Sequence, residues 1–290
     1  MVIGFIGLGA MGRPMAANLA AAAPTRVWNR TVAVAHAHAE AHGTEAVEDL
    51  ADLGVCDVIA TCLPTTTEVA AVAETLAPLL SPGTTWIDHT SGDPAASRDL
   101  AARLAERGVD YLDAPISGGT DGAEAGTLTV MLGGEPAVVD RVSWYLDVVG
   151  RTIVLLGPIG AGHATKVVTN AMLATTLLAA AEGLVALERL GVSTSVALEV
   201  VNGSAGRSYV TERLFPERIV TREFPNTFAM PLLAKDVRLA GEVLAEADVE
   251  GPVLALVQQL TDAAADQLGP DADHSALVQL VERAAGVELT

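Results

Sequence analysis

A glycine-spaced turn directly behind an apolar strand constrains this chain more than any other feature. Val2-Ile3-Gly4-Phe5-Ile6 has the composition of a buried β-strand, and Met11 to Ala21 reads as an Ala-rich helix. Gly7-Leu8-Gly9-Ala10-Met11-Gly12 therefore falls on a strand-to-helix turn. In that setting each glycine does something different. Gly7 allows the tight turn, Gly9 lets the backbone approach a pyrophosphate, and Gly12 lets helix and strand pack closely. The unpaired amides and the dipole of the helix N-terminus favour the phosphates. The pattern predicts that Gly7, Leu8, Gly9, Ala10, Met11 and Gly12 hold a dinucleotide. A tight turn without a ligand is the alternative, and the position between strand and helix weighs against it.

The next strand, Thr25-Arg26-Val27-Trp28-Asn29-Arg30-Thr31, lies about 20 residues beyond the glycines, where an NAD-binding chain carries an acid for the ribose hydroxyls. No Asp or Glu ends this strand. Asn29 can bond a ribose oxygen, while the Arg30 guanidinium and the Thr31 hydroxyl suit a 2′-phosphate. A missing acid and a present cation both favour NADP, with NAD as the alternative, although Arg30 also suits a solvated loop.

Strand and helix patterns alternate through the first half. Val55 to Leu63, Thr84 to Asp88, Val109 to Asp113, Leu128 to Leu132 and Ile153 to Leu155 read as strands, and Glu68 to Leu80 and Pro94 to Arg107 as helices. This predicts an α/β, Rossmann-type doubly wound and mostly parallel sheet. From His163 onward helical periodicity dominates. The predicted organisation is a dinucleotide-binding domain over residues 1–162 and an all-helical substrate and oligomerisation domain over residues 163–290.

In open α/β sheets the ligand lies at the carboxyl ends of the strands. Leu63 and Pro64 form a rigid loop at one such end, near the adenosine or ribose. Thr90-Ser91-Gly92 offers hydroxyls and amides near the nicotinamide, with Ser91 the candidate contact. Ordinary turn chemistry is the commoner role of such clusters.

Composition narrows the partners. Half of the 290 residues are hydrophobic but only 3% are aromatic, so the core must be built from Ala, Val and Leu. A net charge of −19 argues against nucleic acid or an anionic membrane. An anionic substrate must then find a locally positive pocket. Two cysteines cannot make a disulfide framework, and with a strand beginning at residue 2 the expectation is a reduced cytoplasmic protein without a targeting segment. Val167 to Leu187 is long and apolar enough to imitate a membrane span, but its Asn170, threonines and Glu182 fit a buried helix better. That helix carries more apolar surface than one face needs, which predicts a homo-oligomer.

Three further segments carry chemistry. In Asp113-Ala114-Pro115-Ile116-Ser117-Gly118-Gly119, a hydroxyl followed by two glycines forms a plausible nest for a carboxylate, or simply a glycine-rich turn. Lys166 and Asn170 stand four apart at the start of an apolar helix and project from one face. A lysine in a dry cleft loses ammonium stability and becomes suited to proton transfer; a snorkelling lysine is the alternative. Lys235-Asp236 follows the apolar run Phe228-Ala229-Met230-Pro231-Leu232-Leu233, which favours a cleft role over a solvated pair.

In order and spacing, the GLGAMG loop, DAPISGGTDGAEAGTL, GAGHATKVVTN and LLAKDVRLA resemble the β-hydroxyacid dehydrogenase family, and within it the members acting on 3-hydroxyisobutyrate. The resemblance spans nearly the whole chain. It implies a substrate cleft between the two domains, with Lys166 as catalytic acid/base and Ser117, Gly118 and Gly119 holding the substrate carboxylate. It also implies that Asn170 bonds the substrate, that Phe228 and Asp236 close its side, and that Lys235 lies toward the cofactor. No metal-ligand set is expected.

The implied reaction is NADP-dependent interconversion of a small 3-hydroxy acid and its semialdehyde. Two departures from the family pattern are Thr90-Ser91, where Ser-Thr is frequent, and Thr169-Asn170, where two asparagines are frequent. Thr169 cannot replace the imidazole that 6-phosphogluconate dehydrogenases carry there, and Lys166 argues against imine reductases. Glyoxylate and succinic semialdehyde reductases keep every motif and are the rival enzymes. A cofactor-binding module without turnover is the rival of another class; the presence of Lys166, Ser117 and Asn170 weighs against it.

Overall fold

A computed structural model describes residues 1–290 as two compact units, Met1–Lys166 and Val167–Thr290. In the first, β1 (Ile3–Ile6) leads into α1 (Gly12–Ala22) and β2 (Thr25–Trp28) into α2 (Val32–His42), followed by a two-residue β3 (Glu45–Ala46). The alternation continues through β4 (Val58–Thr61), α3 (Thr66–Leu76), β5 (Thr85–Asp88), α4 (Pro94–Ala105) and β6 (Asp110–Asp113). The six strands are all parallel, in the order β3-β2-β1-β4-β5-β6. This is the doubly wound order, whose ligand crevice opens between β1 and β4 where the order reverses.

The remaining elements of this unit are β7 (Ile116–Ser117), α5 (Gly119–Glu124), β8 (Leu128–Gly133), α6 (Pro136–Arg141), α7 (Ser143–Val149) and β9 (Gly150–Gly157). β8 runs antiparallel to β6 and β7 and parallel to β9, so the sheet is mixed at this end. Alternation along β1 shows how the layers form. Ile3 and Phe5 join Met15, Leu19 and Leu146 on one face, while Ile6 joins Val69, Leu76 and Leu104 on the other. Burial on both faces explains why these strands read as nearly continuous apolar runs.

One predicted strand is shorter than its apolar run. Val55 to Leu63 suggests a single strand, but Leu50–Val55 is a 3₁₀ turn with Val55 exposed, and β4 begins only at Val58. The Asp57 carboxyl accepts the Val2 amide at 2.7 Å, which marks where the chain enters the sheet.

The long helix α8 (Ala161–Arg189) crosses the division, which falls after Lys166, whereas the sequence pattern placed the boundary at residue 162. The second unit adds α9 (Thr194–Asn202), a π-helical stretch (Val210–Ile219), α10 (Met230–Glu246), α11 (Pro252–Leu268), a 3₁₀ turn (His274–Leu277) and α12 (Val278–Ala285). α8 is long and apolar enough to cross a membrane by length and composition. One side of it, from Val167 through Ala174, Leu177 and Ala181 to Val185, lies in the helical core against residues such as Leu214, Phe215 and Leu233.

His89 and Tyr145 form a paired polar cluster inside the first unit. His89 at the end of β5 places Nδ1 2.7 Å from the Ala114 carbonyl and Nε2 2.8 Å from the Tyr145 hydroxyl. A carbonyl only accepts, so Nδ1 carries the proton and Nε2 accepts from the phenol. Burial pushes the His89 imidazole down to about 4 and the Tyr145 hydroxyl well above its usual range, so both stay neutral.

In the unfolded chain His89 titrates near its ordinary value of 6.5, so between there and about 4 the unfolded state binds the extra proton. Stability contributed by the neutral ring is therefore complete above about 6.5 and is lost as pH falls toward 4, by about 3 kcal/mol at the acid end. Urea unfolding followed from pH 7 to 4 should show this slope, and His89→Gln should flatten it. An unchanged slope in the variant would refute the assignment.

Candidate active site

The glycine loop has the clearances that dinucleotide binding requires. Gly7 has φ 100°, and a Cβ there would strike the Cys62 carbonyl oxygen of the neighbouring loop. A Cβ on Gly12 would collide with the Gly7 carbonyl oxygen and crowd Phe5, so this glycine serves close packing of α1 on β1. Gly9 is different: nothing lies within 4 Å of its added Cβ, which leaves open space beside the backbone at this position. These residues fit a pyrophosphate at the start of α1.

At the end of β2, Asn29 turns inward and Arg30 outward. Asn29 Oδ1 accepts the Leu8 amide at 3.1 Å, and Asn29 Nδ2 donates to the Thr31 carbonyl at 3.2 Å. Asn29 thus ties the glycine loop to the end of β2, a role its sequence position did not reveal. Arg30 and Thr31 are exposed, and no hydrogen bond or ion pair occupies the guanidinium. Across the crevice, the Leu63 amide donates to Thr90 Oγ1 at 3.2 Å, which joins the Leu63-Pro64 loop to the loop carrying Ser91.

A fully buried carboxyl, Asp88, organises that second loop. Asp88 accepts hydrogen bonds from Thr61 Oγ1 at 2.8 Å, the Thr90 amide at 3.0 Å and the Tyr111 hydroxyl at 3.1 Å. Such a group is costly to bury without these donors. The His163 ring lies beside it, with Nε2 4.0 Å from Asp88 Oδ2 and Nδ1 2.6 Å from Ser97 Oγ. Gly92 is needed here, because a Cβ would press on both His163 and Thr66. Cys62 cannot act as a nucleophile in this crevice, since burial pushes its thiol up to about 12.

Asp113, at the end of β6, fixes the start of α8. Its two carboxyl oxygens accept the amides of Gly160 at 2.8 Å and His163 at 2.9 Å, satisfying donors that a helix start leaves open. Gly162 has no room for a side chain, because a Cβ would meet the Met131 carbonyl oxygen and Asp113 itself. Lys166 follows one turn later and is only 9% exposed. In the same unit Ser117 ends β7 with its hydroxyl bonded to no other group, and Gly118 and Gly119 follow with φ 138° and 64°. Two successive positive φ values explain why both must be glycine.

The second unit gathers another set. Asn170 Nδ2 donates to Asp236 Oδ2 at 2.6 Å, and Lys235 Nζ lies 3.1 Å from Asp236 Oδ1. Asp236 is fully buried, so it orients the Asn170 amide, and adjacent Lys235 and Asp236 form a bridge rather than a solvated pair. Phe228 precedes α10 and packs against His274, their ring centroids 5.3 Å apart. Sequence reasoning missed Asp88, His163 and Asp273; only Asp88 carried a signal, as a polar residue at the end of an apolar run.

Residues 2–157 match the family model described as the NAD binding domain of 6-phosphogluconate dehydrogenase, and residues 160–281 that described as NAD-binding of NADP-dependent 3-hydroxyisobutyrate dehydrogenase. The chain is 38% identical over 293 residues to 2-(hydroxymethyl)glutarate dehydrogenase of Eubacterium barkeri, covering 99% of this chain and 97% of that protein. It is 34% identical over 295 residues to 2-hydroxy-3-oxopropionate reductase of Escherichia coli K12, covering 100% of both. Among solved structures, 3-hydroxyisobutyrate dehydrogenase of Mycobacterium tuberculosis with L-serine superposes with a TM-score of 0.89 at 30% identity, covering 97% of this chain and 98% of that one.

Proposed function

We propose, from the premise that the chain belongs to the β-hydroxyacid dehydrogenase family and is an NAD(P)-dependent oxidoreductase, that it interconverts a 2-substituted 3-hydroxypropionate and its semialdehyde with NADP. Lys166 is the acid/base of this reading. The observation that carries it is a lysine 9% exposed, four residues before an asparagine whose amide is fixed at 2.6 Å by a buried carboxyl.

The substrate frame is supported by what the relatives are named for. 3-Hydroxyisobutyrate, serine and 2-(hydroxymethyl)glutarate each carry a primary alcohol on the carbon next to the carboxylate-bearing carbon, and 2-hydroxy-3-oxopropionate is the aldehyde of the same frame. They differ only in the C2 substituent. 3-Hydroxyisobutyrate, with a methyl there, is the substrate proposed for this chain. Glyoxylate is one carbon shorter, and succinic semialdehyde places its aldehyde one carbon farther from the carboxylate, so both depart from the frame.

In this reading the free Ser117 hydroxyl and the Gly118 and Gly119 amides hold the carboxylate. The Asn170 amide, held by Asp236, orients the reacting oxygen. During oxidation the amine form of Lys166 accepts the hydroxyl proton, and in reduction its ammonium returns a proton to the aldehyde oxygen. Bound nicotinamide takes up or supplies the hydride. The unengaged Arg30 guanidinium beside Thr31 supports NADP, because a 2′-phosphate there meets a cation and no acid. Homo-oligomerisation is supported by α8, which exposes Met172, Ala179, Gly183 and Ala186, with Glu182 the one charged residue among them, in a chain of net charge −19.

Lys166→Ala should lower kcat by about 10²–10⁴-fold with NADP affinity nearly unchanged; full turnover by the variant would remove its proton-transfer role. In the same assay kcat/KM should be higher for methylmalonate semialdehyde than for glyoxylate or succinic semialdehyde, and the reverse order would overturn the substrate reading. Arg30→Ala should weaken NADP by roughly tenfold to a hundredfold and NAD little, so equal weakening of both contradicts the preference. Light scattering at micromolar concentration should report an oligomer; a monomer there would count against an interface on α8.

A further inference from the structure

The helical unit holds Phe228 in place by a device that the reaction scheme does not use. Asp273, whose side chain is fully buried, accepts the Thr227 amide at 3.0 Å and the Phe228 amide at 3.2 Å through Oδ2. Its Oδ1 accepts the Ser275 amide at 3.0 Å and the Ser275 hydroxyl at 2.5 Å. The His274 amide in turn donates to the Phe228 carbonyl at 2.8 Å. The backbone of Phe228 is therefore gripped at both its N–H and its C=O by two consecutive residues, and its ring rests on the His274 imidazole with centroids 5.3 Å apart.

The grip extends along the chain. Ala229 and Asp273 form an isolated antiparallel bridge, and the Met230 amide donates to the Ala272 carbonyl at 2.7 Å. Met230 is the first residue of α10, the helix that carries Lys235 and Asp236. Arg218 adds a cation, with Nη1 2.5 Å from Thr227 Oγ1 and 3.6 Å from Asp273 Oδ1. The neighbouring donors hold the Asp273 carboxyl far below the usual carboxylate range against the opposing effect of burial, so it keeps its acceptors at neutral pH.

Here a polar cluster sets the position of one aromatic side chain. We propose that Asp273 and His274 are positioning residues that set substrate affinity by fixing Phe228. This rests on the assignment of Phe228 to the substrate side of the site.

A double-mutant cycle tests the proposal, with kcat and KM measured for both hydroxyacid and NADP in the full-length protein. His274→Ala should raise the hydroxyacid KM about three- to tenfold through loss of the ring contact, with kcat and the NADP KM within about twofold. Combined with Phe228→Ala it should add nothing further, because both act through one side chain. Asp273→Asn, which keeps an acceptor for the Phe228 amide, should recover part of the affinity lost in Asp273→Ala; if Asp273→Ala fails to fold, the His274 series decides. Additive losses, or a His274→Ala enzyme with lower Tm but unchanged KM, overturn the proposal alone. An unchanged KM in Phe228→Ala overturns it together with the placement of Phe228 at the site.

Discussion

The grip of the Asp113 carboxyl on the amides of Gly160 and His163 is the interaction on which the arrangement of this chain depends. It joins the end of a parallel strand to the start of a 29-residue helix, and that helix carries Lys166. Helix starts leave amides unpaired, and a buried one without an acceptor costs about 1–3 kcal/mol. Asp113 supplies acceptors for two, while Gly162 removes the side chain that would push the helix away from β8. With the start of α8 fixed, His163 falls beside Asp88, and the Asp88 network in turn shapes the loop that carries Thr90 and Ser91.

The same device recurs. Asp88, Asp113, Asp236 and Asp273 are all buried, and each accepts from named donors. In a chain with 36 acids and 17 lysines and arginines, most carboxylates must stay solvated. Asp88 and Asp113 end strands and Asp273 precedes a 3₁₀ turn, where backbone amides are available, while Asp236 lies inside α10 and is paired by side chains. Carboxyls therefore act here as joints between elements, while the Arg30 guanidinium stays exposed at the end of β2. A strongly acidic protein can bind an anionic substrate and cofactor because its field is overridden locally by such cations and by helix-start amides.

Much of the fold was legible from periodicity alone. The parallel strands, the crossover helices and the change to helices after β9 follow from apolar runs that must be buried on one or both faces. The run from Val55 to Leu63 misled, because a hydrophobic string does not say where the backbone enters the sheet; Asp57 and the 3₁₀ turn before it decide that. The 150–157 strand was longer than its apolar centre suggested, since pairing with β8 extends it back to Gly150, past a register shift that leaves Arg151 unpaired, and on to Gly157.

By itself, the sequence determined the glycine loop, the absence of an acid after β2 and the lysine and asparagine one helical turn apart. These are local facts, fixed by backbone sterics and by residues close together in the chain. Only the tertiary structure decided that Asn29 braces the glycine loop, that Asp236 aims Asn170, and that Asp273 and His274 hold Phe228 across more than forty residues of chain. Each pairs groups far apart in sequence. Whether a polar side chain is a solvated surface group or a buried joint depends on which donors folding brings to it, and no spacing along the chain records that.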